Sequence, residues 1–413
     1  MLIEFHVLQN HAPSNLNRDD TGSPKECVFG GHKRARISSQ CLKRSIRRSD
    51  VFQQALQGQL AQRTRRLPEI IRERFQKEDG LRDYAETAAQ KATGFGTSDG
   101  KERKPEKDGK YATAQTMFLT SHDIEAVANA LLAAAREAGS LKKFEVLKAT
   151  DLQKDAQQKG FRPVTVDVAL FGRMTTSEAF RDVEAAMQVA HALSTHKVDH
   201  EFDYFTAVDD LKNTGTDETE EDAGADMLGD VEYNSACYYK YFSLDVDGLI
   251  ANLTGAAARR KEILESETQA AKELAGRTVE TFMRAMTLTT PTGKQNSFAA
   301  HQLPAAILVE VRPHATPVSY ANAFVDPARP GRDGDLVQAS LKKLSAHVEA
   351  LTNGFNLQSN ARLLLAPEYD EKSFEIKGVA RCDSLNDLCA KLREAVASAN
   401  GGGNGQTDSA ITA

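Results

Sequence analysis

The 413-residue chain has no tryptophan and only five cysteines. Cys27, Cys41, Cys237, Cys382 and Cys389 are odd in number and form no C-x-x-C pair. Neither a disulfide framework nor a zinc knuckle is expected, which leaves reduced, mostly buried thiols. Nowhere do about 18 apolar residues follow one another, so no membrane-spanning helix is expected. The start, MLIEFHVLQ, is too short and too acidic for a secretory signal, and a cytoplasmic protein without membrane contact is the expectation. Enzyme signatures are missing as well. Gly293-Lys294 lacks the preceding glycines of a Walker loop, and GFGTSDG is a lone glycine cluster outside strand–helix context. No Ser or Cys nucleophile stands in a His–acid constellation that the sequence supports, and no cofactor is expected.

A local absence says more. From Gly31 to Ser49 there is no carboxylate, whereas Lys33, Arg34, Arg36, Lys43, Arg44, Arg47 and Arg48 all fall there. The whole chain is net −6, and Lys197 to Glu232 holds thirteen carboxylates against only Lys197 and Lys212. Charge sorted in this way points to polyanion binding at one place and its avoidance at another.

With 40% hydrophobic and 27% charged residues the chain can bury a substantial core divided into two or three structural units. LIEFHVL alternates as a strand, with Ile3, Phe5 and Val7 on one side. From ISSQ the pattern turns helical: Ser38 or Ser39 caps, Leu42 and Ile46 mark the buried face, and Lys43, Arg44, Arg47 and Arg48 the other. Residues 51–160 favour helix and read as a helical insertion containing a charged loop. VTVDVALFGRM predicts a strand at 164–171, followed by a helix in EAFRDVEAAMQVAHAL. Residues 198–236 predict a protruding β-hairpin with an acidic tip, Asp217–Asp230. SACYYKYFSLDVDG and AAILVEVR return to strand, with a long helix between them. NGGGNGQTDSAITA reads as a flexible tail. Strands and helices interleave without a strict βαβ repeat, so an α+β core interrupted by two insertions is expected.

Several residues can carry chemistry. A helix start with Ser38, Gln40 and nearby Arg18 and Lys25 suits phosphate, and Gly30-Gly31 permits close backbone approach. Lys294 and Gln295 lie in a loop between helix and strand. Met174, beside Arg173 and three hydroxyls, is either core filler or a wedge against a base. Phe202, Tyr204 and Phe205 are either strand packing or platforms for bases. His191, His196 and His200 with Asp199 and Asp203 have the wrong spacing for one metal-binding face. Asp19-Asp20, beside Arg18, is turn chemistry, an arginine brace or a Mg²⁺ site for phosphodiester cleavage.

Taken in order, HVLQNHAPSNLNRDD, FGGHKRARISSQCLKRSIRR, FGRMTTS, AHALSTHKVDHEFDYFTAVDDL, GKQNSFAAHQLP and SYANAF make the chain resemble the CasC-type backbone subunit (Cas-seven family, type I-E) of the CRISPR Cascade surveillance complex. These motifs span residues 6 to 324. The resemblance implies an α+β, RNA-recognition-motif-like (ferredoxin-like) palm at 1–50, 161–197 and 237–398. It also implies helical fingers at 51–160, a thumb hairpin at 198–236 and a flexible tail at 399–413. It implies a non-catalytic subunit that binds guide RNA (crRNA), stacks with copies of itself into a helical filament and kinks the guide at regular intervals. Target DNA then pairs with the displayed bases, and cap, guide-processing, large and small subunits complete the complex. Residue by residue, guide-backbone contacts carry over to Arg18, Lys25, Ser38, Gln40, Lys43, Arg47 and Lys294. Met174 carries over as the base wedge, and Tyr204, Phe205, Thr206 and Val208 as its thumb neighbours. Relatives in type III complexes cut RNA with a loop aspartate, which would make Asp19 or Asp20 the residue of a metal-dependent ribonuclease. The long acidic tip is a departure from the pattern; the aromatic RNA-recognition signature on the central strands is also absent, as is usual for the family.

Overall fold

The computed structural model describes residues 1–157, 162–207, 227–331, 334–370 and 376–401. The chain forms two compact units, one from Met1–Phe52, Val189–Ser243 and the chain from Val279 onward, the other from Gln53–Gln188 and Leu244–Thr278. Both strands and helices contribute, so the fold is mixed α+β. Among the described residues no helix is long and apolar enough to cross a membrane.

The first unit is built on strands β1 (Leu2–Ser14), β2 (Glu26–Phe29), β3 (His32–Ile37), β4 (Ala192–Ser194), β5 (Glu201–Ala207), β6 (Met227–Asp245), β7 (Ala306–Arg312), β8 (Ala361–Leu365) and β9 (Val379–Arg381). They run in the order β9-β8-β7-β1-β6-β4-β3-β2, with β5 paired to the early part of β6. The alternation in LIEFHVL does give a strand, but both of its faces are buried. Phe5 meets Phe282 of α2 (Glu265–Leu288) on one side, at 5.6 Å between ring centroids. On the other side Leu8, Leu308 and Leu364 pack with Leu341, Leu344 and Val348 of α4 (Leu336–Gly354), which follows the short α3 (Gln295–Phe298). A sheet covered on both faces has little one-sided exposure to display.

The Leu8 face is not wholly apolar. Glu4 on β1 stands directly opposite Glu310 on β7, which in turn pairs with Arg362 on β8. Like charges so placed repel. Arg312 answers both: it donates to Glu4 and, at 2.8 Å, to Glu310, while Arg362 reaches Glu310 at 2.7 Å and the Tyr320 hydroxyl reaches it at 2.6 Å. Burial opposes ionisation of Glu310, yet His6 at 3.5 Å, Arg312 and Tyr320 outweigh it and hold the carboxyl well below its usual range.

The basic segment divides along the chain. Gly30 and Gly31, at φ 60° and 76°, form the tight turn between β2 and β3, a conformation that suits glycine. A Cβ on Gly30 would lie 2.1 Å from the Val325 carbonyl oxygen. At Gly30 the close approach is therefore to the protein's own backbone, whereas a Cβ on Gly31 would meet nothing within 4 Å. Arg34 is completely buried and donates to the carbonyls of Ser194 (3.1 Å), Phe324 (2.7 Å) and Val325 (3.2 Å). It is a structural cross-link and contributes nothing to a surface.

In the second unit, helices Leu67–Gln76, Ala85–Thr93, Ser121–Ala138 and Ala149–Gln157 surround a core that includes Ile71, Phe75, Leu131 and Phe144. Thr120 and Asp123 form a reciprocal capping box at the start of the longest, and Gly139 at φ 64° ends it. Two expectations fail here. The segment read as a strand at 164–171 is the helix Val166–Phe171, in which Val166 to Leu170 are all buried. Burial on every side removes the exposed face that distinguishes the two periods, so V-x-V-x-V fits one helical turn equally well. The helix expected from EAFRDVEAAMQVAHAL is also absent: residues 181–186 are irregular, Val183 bridges Arg173, and Ala192–Ser194 is a strand. Pairing of β4 with β3 and β6 overrides the local helical propensity.

Candidate nucleic-acid interface

Helix α1 (Ser39–Arg48) begins as its sequence predicts. The Ser38 hydroxyl accepts from the Cys41 amide at 3.3 Å, and Leu42 and Ile46 are buried. Of the cationic residues, Arg44 and Arg48 are exposed, whereas Lys43 and Arg47 are half-buried, and burial lowers the pKa of Lys43. At 100° per residue Gln40, Lys43 and Arg47 share one flank of the helix, with Cys41 and Ser45 on the opposite flank.

Two asparagines tie this helix to the loop before it. Asn17 Oδ1 accepts from the Ser38 amide at 2.8 Å, and the Asn17 carbonyl accepts from the Lys25 amide at 2.8 Å. Buried Asn15 donates through Nδ2 to the carbonyls of Gly22 and Glu232, each at 2.9 Å, joining the loop to the foot of the β5–β6 hairpin. Arg18 bridges Pro24 across the loop. Polarity marks these asparagines as loop residues, but nothing in the sequence says which backbones they join.

A third segment comes from Pro291 to Ala300. Lys294 is left-handed (φ 49°, ψ 24°), as is Ala299 (φ 46°), and such non-glycine positions persist only when their surroundings fix them. Gln295 supplies the fixing: it donates to the Pro291 carbonyl at 2.9 Å and accepts from the Ala300 amide at 2.7 Å. Gly293 lets the segment touch the Arg18 loop, since a Cβ there would lie 2.4 Å from the Leu16 carbonyl oxygen and 2.6 Å from that of Asn15. Gly293→Ala should therefore force the two segments apart at a cost of about 1–3 kcal/mol. Thermal unfolding measures it, and a variant that melts with the wild type would contradict the close approach.

Together these segments line a depression of about 530 Å³ in which Arg18 and Arg44 stand with Asp19 and Asp20, and Asn17, Ser45, Thr292 and Gly293 complete the walls among others. A second, of about 330 Å³, has Arg18, Thr21 and Lys294 on one side and Phe202, Asp230 and Glu232 on the other. Arg18 belongs to both. Among the described residues Arg18, Arg44 and Lys294 form no ion pair, so their charge is available to a ligand.

The structure thus brings Arg18, Lys25, Ser38, Gln40, Lys43, Arg47 and Lys294 into one unit, and adds Arg44, which the resemblance did not select. Met174 belongs to the other unit, where it is 92% exposed and so is no core filler. It follows Arg173, which is held by Asp123 at 2.6 Å and by the carbonyls of Phe118 and Arg181. Tyr204, Phe205 and Thr206 are exposed on β5, while Val208 and most of the acidic tip, 208–226, lie outside the described residues, as do 402–413 of the tail.

Asp19 and Asp20 do not stand alike. Asp19 Oδ1 accepts from the Thr21 hydroxyl (2.8 Å), the Thr21 amide (3.0 Å) and the Ser23 amide (3.0 Å), and these bonds keep its carboxyl below the usual value. Asp20 is simply exposed. The histidines disperse: His191 meets Arg36, His196 meets the Cys237 amide and the Lys197 carbonyl, and His200 sits between Glu232 and Glu26. Among the described residues the one triad with metal-ligand spacing is Glu4, His6 and Glu310, and Arg312 and Arg362 already neutralise its carboxylates.

No curated protein matches the chain. Solved structures do. A chain of a "CRISPR RNA-guided surveillance complex, pre-nicking" aligns over 96% of this chain and 100% of its own, at 28% identity and a TM-score of 0.75. A chain of another "CRISPR RNA-guided surveillance complex" aligns over the same shares at 24% identity and a TM-score of 0.65, a likeness of fold. The CT1975-like protein family matches residues 3–391, nearly the full length, and the chain belongs to that family.

Proposed function

We propose that this chain is a crRNA-binding backbone subunit of a CRISPR surveillance complex, serving antiviral defence by holding a guide for target DNA. The observation that carries the reading is the cationic set Arg18, Arg44 and Lys294 around adjoining depressions, which forms no ion pair among the described residues. Family membership and the full-length likeness to a chain of such a complex at 28% identity support it. Guide sequences vary, so the chain must grip phosphate and sugar while leaving Watson–Crick edges available.

The finer picture follows from the resemblance. Type I-E Cascade is the assembly, and its filament consists of copies of this chain with cap, guide-processing, large and small subunits. The palm is RNA-recognition-motif-like, with fingers at 51–160 and a thumb at 198–236. Lys25, Ser38, Gln40, Lys43 and Arg47 extend the phosphate contacts along α1. Met174 wedges beside a kinked nucleotide, and the resemblance assigns Tyr204, Phe205, Thr206 and Val208 to thumb contacts with the guide. The subunit is cytoplasmic and non-catalytic. Use of an Asp19 oxygen by Thr21 and Ser23 favours a loop brace over a ribonuclease centre.

Co-expression with a CRISPR array tests the proposal. A ribonucleoprotein of fixed stoichiometry carrying one defined guide is expected; RNA-free protein, or random cellular RNA, would overturn it. Regularly spaced cleavage of complementary RNA in Mg²⁺, lost on Asp19→Ala or Asp20→Ala, would instead establish the ribonuclease.

A further inference from the structure

The larger depression mixes its charges in a way that phosphate binding alone does not explain. Arg18 and Arg44 line it, and so do Asp19 and Asp20. A carboxylate beside a phosphate repels it, so a cradle for phosphate alone would contain neither aspartate. Asp19 has an internal use, because its Oδ1 accepts from Thr21 and Ser23 and shapes the loop. Asp20 has none. It is exposed and makes no hydrogen bond or ion pair among the described residues, not even with the guanidinium groups of Arg18 and Arg44 that share the depression. The loop is held without it, by the bonds of Asn15, Asn17 and Asp19.

We infer that Asp20 accepts a hydrogen bond from the ribose 2′-hydroxyl of a nucleotide whose phosphates rest on Arg18 and Arg44, and that it thereby selects RNA over DNA. The inference rests on the proposed RNA-binding role and assigns sugar recognition within it. Phosphate oxygens are anionic acceptors, and the base edges have to stay available for pairing. The 2′-hydroxyl is the donor that every ribonucleotide carries outside its base, and an ionised carboxylate only accepts. Their fit is independent of sequence, as a variable guide requires. Charge makes the fit selective. Any strand drawn in by the two arginines meets repulsion from Asp20; ribose offsets it with a hydrogen bond to a charged acceptor, whereas deoxyribose leaves the carboxylate facing phosphate with nothing in return.

The test measures the full chain, in EDTA, on short single strands of one sequence made as RNA, as DNA and as 2′-fluoro RNA, which keeps the ribose pucker but lacks the donor. The wild type should bind RNA about tenfold more tightly than either analogue, as one hydrogen bond to a charged group provides. Asp20→Ala should move the strands in opposite directions: RNA weakens, since the lost bond outweighs the relief of an exposed, screened repulsion, while DNA and 2′-fluoro RNA tighten. Asp20→Asn, which keeps an acceptor without the charge, should retain part of the preference. Tightening of all three strands by Asp20→Ala would mean that the carboxylate acts through charge alone, and equal weakening of all three that it only supports the loop; either result overturns the assignment. So does a preference that emerges only when Mg²⁺ is added, which would put a metal ion between Asp20 and the strand. Failure of the wild-type chain to bind RNA would sink the underlying function, whereas tight wild-type binding with indifferent Asp20 variants sinks only this residue's role.

Discussion

Glu310→Ala is expected to lower the unfolding free energy by about 3–5 kcal/mol, because it leaves the buried Arg312 and the partly buried Arg362 without their shared carboxylate. Arg312 would retain Glu4, but Arg362 would keep only the Thr352 hydroxyl at 2.8 Å and the Lys377 carbonyl at 3.4 Å. A urea titration measures the loss as a shift in midpoint, and a midpoint within error of the wild type would show that the network contributes nothing net. Acid provides a second reading. The folded-state carboxyl of Glu310 titrates below its unfolded value, so its stabilisation is full above the ordinary glutamate pKa of about 4.3 and fades as pH falls toward the folded value. The wild type should lose stability in that window, and Glu310→Gln should lose less.

Arg18→Ala combined with Lys294→Ala is expected to weaken single-stranded RNA binding by about 100-fold at low salt, taking each charge-assisted contact as about 1.5 kcal/mol. The slope of log affinity against log salt should become shallower by about 1.4, or roughly 0.7 for each phosphate left unneutralised. Slope is the decisive quantity. A fold defect could lower affinity, but it would not remove two counterions from the linkage. An unchanged slope would place the phosphates elsewhere, first of all on the flank of Lys43 and Arg47.

Much of the fold could be read from sequence where one principle acted alone. Ser38 caps α1 and Leu42 and Ile46 anchor it because a surface helix displays its period. The helix Val166–Phe171 could not be separated from a strand, since complete burial leaves no polar face to count. Arg34 was misleading for another reason. An arginine within a basic run suggests surface charge, yet its partners are carbonyls from Ser194, Phe324 and Val325, distant in sequence and without any side-chain signal. The candidate site was similarly half legible. Arg18 and Lys294 were marked by the resemblance; Arg44 emerged only once the depression was seen, because helical phase does not reveal which flank faces a neighbouring loop.

The two bonds from buried Asn15, to Gly22 and Glu232, have a consequence for binding rates and thermodynamics. They fix the hairpin foot and the Arg18 loop to one another in the free protein, and His200, held between Glu26 and Glu232, braces the same junction. The backbones of the Arg18 loop and the hairpin foot are thus held together before any strand arrives. Part of the ordering entropy that a mobile loop would lose at encounter is then already lost in folding, which leaves more of the contact energy to appear as affinity.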